Sequence, residues 1–241
     1  MKKINILSIP FVKLNLSETL DILENFLNEN KNHTVVTPNP EGVMQARRNP
    51  AFAEALRSAD LSLADGTGIV LASFFTRGEK LSVRVRGVDT TFALFERLCE
   101  KKRDFTVFFL GAAPGVAENA KKNMENRYSH LKVVGLHHGF FDADEEKKIV
   151  AEINSLSPDI LLVCTGMPRA EIWAATHKMI NAKITMCVGG TLDIMGGNAR
   201  LAPAFMRKTG TEWLYRLVRE PRRAIRMLDI PRFIFAVIFR R

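Results

Sequence analysis

Two runs in this sequence, VFFL at residues 107–110 and ILLVC at 160–164, are apolar at every position rather than at alternate ones. A strand with one face in water alternates, whereas a strand covered on both faces does not. Such runs exclude a simple two-layer meander and require a sheet with packing on each side. Strands are expected at 4–9, 33–38, 61–64, 105–110, 131–136, 159–164 and 183–188. Between them, apolar residues recur at helical spacing. Ser17 is expected to cap a helix running to about Asn30, and further helices to cover 41–59, 67–75, 88–102, 115–127, 143–155 and 169–180. This order predicts an α/β fold: a doubly wound, largely parallel sheet with helices on both faces.

A chain of 241 residues, 46% of them hydrophobic, can bury one sizeable core with room for an appendage. No run of about 18 apolar residues offers a membrane-spanning helix. The N-terminal MKKINILSIPFVKLNL is interrupted by Lys13 and Asn15 and lacks a small-residue cleavage site, so it reads as a first strand and not as a signal peptide. Cys99, Cys164 and Cys187 are scattered through apolar surroundings and read as reduced core residues.

The pattern changes near residue 195. Residues 1–200 form the expected core. Residues 201–241 form a basic and apolar C-terminal appendage: an arginine-rich helix, a break near Pro221, a second helical stretch and an apolar end after Pro231. The chain carries a net charge of +9, and eight arginines against two acids lie between Trp213 and the C-terminus. A partner that attracts positive charge therefore meets the tail. The run FIFAVIF at 233–239 is too short to span a bilayer but can lie in its interface. The alternative is that Trp213, Leu214, Tyr215 and Leu217 pack on the core and the arginines form a solvated face. Nucleic acid is disfavoured, because the charges interleave with long apolar side chains and no nucleic-acid motif is present.

In open α/β sheets ligands bind beyond the carboxyl ends of the strands. Those ends carry TPNPEG, ADGTG, GAAPGVAENA, HHGFF, TGMPRAE and GGTLDIMGG. Asp65, in ADGTG, is either a cap for the helix that follows or a general base. GAAPGVAENA lacks the glycines of a dinucleotide fingerprint and the lysine of a phosphate-binding loop. It is either a plain turn or a set of N–H groups aimed at a phosphate. The DAD at 142–144 reads as an acidic helix start. His137 and His138 have no partner at metal spacing, although His138 is a candidate for contact with a ligand.

In order along the chain, the segments TPNPEGVMQARRNPAFAEALRSADLSLADGTGIVLAS, RVRGVD, FFLGAAPGVAENA, VVGLHHGFF, GMPRAE, VGGTLDIMGG and RLAPAFMRKTGTEWLYRLVREPRR resemble the WecG/TagA/CpsF glycosyltransferases. The resemblance runs from about residue 33 to 226. It implies a nucleotide-activated donor, often UDP-N-acetylmannosamine, and a polyprenyl-diphosphate-linked acceptor sugar. It places the protein at the inner face of the cytoplasmic membrane, in teichoic acid or related polysaccharide synthesis. It makes Asp65 the base and matches Thr37, Asn39 and Arg84 to substrate-binding positions. Gly111, Ala112, Pro114 and Gly115, together with Gly190 and Asp193, fall where the nucleotide is expected. His138, Arg169 and Glu171 are further candidates. Arg216, Arg223 and Arg226 match basic positions thought to reach the lipid diphosphate. The family pattern GxPKQE reads here Gly166-Met167-Pro168-Arg169-Ala170-Glu171, so Ala170 stands where an amide is usual and the sugar is left open.

The mechanism expected is a metal-independent displacement with inversion, needing no cofactor. The rival readings are a nicotinamide-dependent oxidoreductase, disfavoured by the missing GxGxxG, and a non-catalytic lipid-binding relative. Loss of the tail is expected to uncover apolar surface and favour self-association; the oligomeric state itself is left open.

Overall fold

The computed structural model describes residues 2–219 and 228–239. Six strands form one all-parallel sheet in the order β4-β3-β8-β7-β5-β6. They are β3 (His33–Val36), β4 (Leu61–Ser62), β5 (Phe105–Gly111), β6 (Leu131–His137), β7 (Ile160–Cys164) and β8 (Ile184–Cys187). The uninterrupted apolar runs are explained by the packing. Phe108, Leu110, Leu161 and Val163 face one core, while Val107, Phe109, Ile160 and Leu162 face the other. Each such side chain, fully buried, contributes about 1.5–3 kcal/mol.

The first core is covered by α2 (Pro40–Ala46), α3 (Pro50–Ser58), α4 (Thr67–Ser73), α7 (Ala143–Leu156) and α8 (Arg169–Thr176). The second is covered by α1 (Leu16–Phe26), α5 (Gly87–Glu100), α6 (Val116–Arg127) and α9 (Thr191–Met195). The chain leaves β5 toward one face and β7 toward the other. Their carboxyl ends therefore open into a switch-point crevice.

Three local expectations are corrected. Residues 4–9 do not join the main sheet: β1 (Lys3–Ile6) and β2 (Ile9–Val12) form a separate antiparallel hairpin, turned by Leu7 and Ser8 at φ 47° and 69°. It packs beside β4, against α3 and α4. The first helix is capped by Asn15 rather than Ser17. The Asn15 side chain accepts from the Glu18 N–H at 2.9 Å, and the Glu18 carboxylate accepts from the Asn15 N–H at 2.8 Å. The segment 41–59 is two helices, because Asn49 caps a new start at Pro50.

The C-terminal segment forms α10 (Ala204–Thr209), α11 (Glu212–Arg219) and α12 (Asp229–Phe239). Helix α12 packs on α2 and α4 and places Phe233, Ala236 and Val237 in the first core. The apolar end of the chain is thus half core, not wholly an interfacial segment. Arg48 and Asp229 close the contact with an ion pair, whose Nη1–Oδ1 distance is 2.8 Å. The Arg48 guanidinium holds the Asp229 carboxyl below the usual carboxylate range. The break expected at Pro221 lies outside the described residues. Among the described residues no helix is long and apolar enough to cross a membrane.

Candidate active site

The candidate site is built almost entirely from main chain. Beyond β4, the Leu63 N–H donates to Val36 O at 2.9 Å, Ala64 O accepts from the Val85 N–H at 3.0 Å, and the Asp65 N–H donates to Pro38 O at 3.3 Å. These bonds strap Asp65 to the rim just past the last paired residue, where its side chain is half-buried. Helix α4 begins directly behind it at Gly66, which has no side chain of its own to cap the helix.

From Asp65 the rim continues without a break. The Thr37 hydroxyl donates to Cys187 O at 3.1 Å and ties the end of β3 to that of β8. Gly87, which opens α5, lies so close that a Cβ there would stand 3.0 Å from Thr37 Oγ1 and 3.2 Å from Val188 Cγ1. The Thr191 hydroxyl donates to Val188 O at 2.6 Å. Gly190 and Asp193 follow at the start of α9, beside Cys164 at the end of β7. Gly111, at φ 140°, meets the Cys164 backbone where a Cβ would collide with it. The Ala112 N–H donates to Cys164 O at 3.3 Å, and Ala112 O accepts from the Gly139 N–H at 2.8 Å. Ala112 sits at φ 61°, a conformation that side-chain-bearing residues rarely adopt and that recurs at functional sites. Gly115, at φ 83°, then starts α6, with Pro114 ahead of it.

The helices divide by how they begin. The N-cap residue's own side chain caps α1, α2, α3 and α7, but makes no cap hydrogen bond at α4, α5, α6, α8, α9 or α10. Helices α2 and α7, which follow β3 and β6, are capped, whereas the uncapped α4, α6, α8 and α9 directly follow β4, β5, β7 and β8. Each leaves orphan N–H groups and the positive end of a helix dipole facing the crevice, a setting suited to an anion.

Several candidate residues have structural partners. Asn39 Oδ1 caps α2, accepting from the Gly42 N–H at 2.8 Å. Arg84 pairs with Glu212 of α11, both N–O distances being 3.3 Å. His138 Nδ1 accepts from the Phe140 N–H at 3.3 Å, one residue from the Gly139–Ala112 contact. Arg169 donates to Gly139 O at 2.6 Å and Phe141 O at 3.3 Å and stacks over the Phe141 ring, so it holds the β6–α7 loop in place. Glu171 and Ala170 are buried. The DAD segment is a helix start, as expected: Asp142 Oδ1 accepts from the N–H groups of Asp144 and Glu145, both at 2.9 Å. Arg216 falls in α11, with its side chain outside the described residues; Arg223 and Arg226 lie outside them altogether. The cysteines are unpaired, and burial pushes the Cys164 thiol up to about 12. Among the described residues no three His, Cys, Asp or Glu side chains gather as metal ligands.

Burial pushes the Glu171 carboxyl up to about 7, and its Oε2 has no partner among the described residues. The folded state therefore holds a proton that the unfolded chain releases at ordinary carboxylate pH. Its contribution is present below the unfolded pKa, near 4.5, and is lost as pH rises through about 7. Glu171→Gln should therefore stabilise the protein above pH 7, by roughly 3 kcal/mol at most, and change little below pH 4.5. Thermal melts of both proteins at pH 4.5 and pH 8 would check this; an equal shift at the two values would contradict it.

Sequence reasoning missed two groups. One is Arg86 with Glu212. The other is the exposed trio Leu71, Phe74 and Phe75 at the end of α4, which lies against α12. The motif GIVLASFF carried that second signal, but it reads equally as core.

Comparison with known proteins places the chain in a family. The profile of the Glycosyl transferase WecG/TagA/CpsF family matches residues 4–241. An N-acetylglucosaminyldiphosphoundecaprenol N-acetyl-beta-D-mannosaminyltransferase of Bacillus spizizenii (strain ATCC 23059 / NRRL B-14472 / W23) is 32% identical over 232 residues, covering 95% of this chain and 88% of the relative. The protein of that name from Staphylococcus aureus (strain MRSA252) is 31% identical over 238 residues, covering 98% of this chain and 92% of the relative. A profile match along nearly the whole chain, together with relatives 31–32% identical over almost all of it, makes this protein a member of the WecG/TagA/CpsF glycosyltransferase family.

Proposed function

We propose that the protein transfers an N-acetylmannosamine-type sugar from a UDP-sugar to an undecaprenyl-diphosphate-linked N-acetylglucosamine, with inversion, in teichoic acid or related surface-polysaccharide synthesis. The observation that carries this reading is the setting of Asp65, a half-buried carboxylate strapped by main-chain bonds at the strand ends. In this reading Asp65 accepts the proton of the acceptor hydroxyl. The oxygen attacks the anomeric carbon, and the nucleoside diphosphate leaves from the opposite side. Charge grows on the leaving diphosphate, and in this reading N–H groups around Gly111–Gly115 and the Arg84 guanidinium meet it. Thr37, Gly190 and Asp193 line the same rim as donor contacts. A panel of UDP-sugars with a short-chain polyprenyl-diphosphate N-acetylglucosamine, scored by released UDP, tests the reaction. No release with any donor would refute it, and release with a different hexose alone would reassign the sugar.

The reaction is proposed to need no metal, its diphosphate charge being met by N–H groups and arginines. Turnover should then survive excess EDTA within about twofold, well inside the tenfold that a barrier change of ~1.4 kcal/mol would bring. Full loss on chelation, restored by magnesium or manganese, would contradict this.

Docking at the cytoplasmic membrane face is part of the proposal. The outward residues of α12, Ile234, Phe235, Ile238 and Phe239, are each about half exposed and continue toward Leu71, Phe74 and Phe75 of α4. Apolar surface of this kind marks an interaction site, and Arg47 and Arg232 beside Phe235 suit anionic headgroups.

A further inference from the structure

We infer that Glu212 is a positioning residue for the lipid-linked acceptor, holding the C-terminal segment seated on the crevice by an ion-pair clamp. The start of α11 is pinned at two points. On one side Gly210, at φ 75°, sits so close to Thr67 that a Cβ would run into its side chain. Thr67 is two residues from Asp65. On the other side the Glu212 carboxylate accepts from Arg86 Nη1 at 2.6 Å and from both terminal nitrogens of Arg84 at 3.3 Å.

Arg86 is itself held rigidly. Its Nε and Nη2 donate to the two oxygens of Asp89, each at 2.6 Å. Two guanidinium groups and two carboxylates thus form one network of balanced charge. The Arg86 and Glu212 side chains retain only 8% and 16% of their exposure. A charge pair this far out of water responds strongly to removal of one partner, unlike a surface pair. The network joins the start of α5, which borders Thr37, to the helix that carries Arg216 and leads into the remaining tail arginines.

The short Arg86 contact is the anchor, and the longer Arg84 contacts can lengthen without releasing α11. When the segment is unseated, the binding-competent fraction falls, and apparent acceptor affinity falls by the same factor. The clamp itself stands on the contacts above; its link to the lipid acceptor rests on the proposed transferase reaction.

Hydrogen–deuterium exchange on the full-length protein reads the clamp without any substrate. In Glu212→Ala and in the near-isosteric Glu212→Gln, amides of residues 211–219 should exchange about tenfold faster, equivalent to ~1.4 kcal/mol in the seated-to-open ratio. Amides of β5 and β7 should remain protected, which separates opening from unfolding. In both variants the KM for short-chain polyprenyl-diphosphate N-acetylglucosamine should rise about tenfold, several-fold more than any change in kcat or in the KM for the UDP-sugar, whose diphosphate Arg84 is proposed to meet. Glu212→Asp should recover part of both effects. Unchanged exchange in both variants overturns the clamp. Faster exchange with an unchanged acceptor KM overturns the positioning role. Faster exchange in a protein whose wild type transfers no sugar upholds the clamp and refutes the transferase reading instead.

Discussion

Asp65→Asn should retain UDP binding and lose turnover by roughly 10²–10⁴-fold, the range of a positioned acid–base group. The substitution nearly preserves shape while removing the charge and the capacity to take a proton. Asp65 is located by its own N–H and by its neighbours' main chain, so the amide should occupy the same place. Isothermal titration with UDP, a thermal melt and released UDP per enzyme together isolate the chemical step. Near-normal turnover would show that another group accepts the proton. Lost UDP binding would show that Asp65 builds the donor pocket instead.

The second large effect concerns the membrane. Changing Ile234, Phe235, Ile238 and Phe239 together to serine should reduce partition onto anionic vesicles by roughly 10²-fold or more. Each exposed half-side-chain is worth about 1 kcal/mol when buried in the interface. Flotation of the full-length variant beside wild type measures it directly, with a melt to confirm folding. Equal flotation of the two would remove α12 as a docking element. Truncation near Lys208 is a poorer test, because it also strips Phe233, Ala236 and Val237 from the core and breaks the Arg48–Asp229 pair. Its consequences would mix loss of docking with exposure of α2 and α4.

The main sheet was legible because its signal is local. A run such as ILLVC can be satisfied only by cover on both faces, and β7 has that cover. The strand-end loops followed from the same order, which is why residues at those strand ends stood out as candidates. The N-terminal hairpin was not legible, since its turn uses Leu7 and Ser8 in place of the glycine or asparagine that mark such turns. The split at Asn49-Pro50 did carry its signal, but the apolar spacing runs through it. Arg169 donates to the Gly139 and Phe141 carbonyls, a loop contact that no local pattern in the sequence reports. Glu212 meets Arg84 and Arg86 across more than 120 residues of chain, and no periodicity reports such a pairing. The double role of α12 was hidden for a similar reason: amphipathic spacing shows that a face exists, not which neighbour covers it.

The rim's reliance on main-chain bonds bears on how readily the enzyme can be altered. The three bonds that place residues 63–65 come from peptide groups, and any non-proline side chain could supply them. Loop side chains around the acid can therefore be exchanged without displacing it. Redesign toward a different hexose can begin with those loops and leave the scaffold as it is.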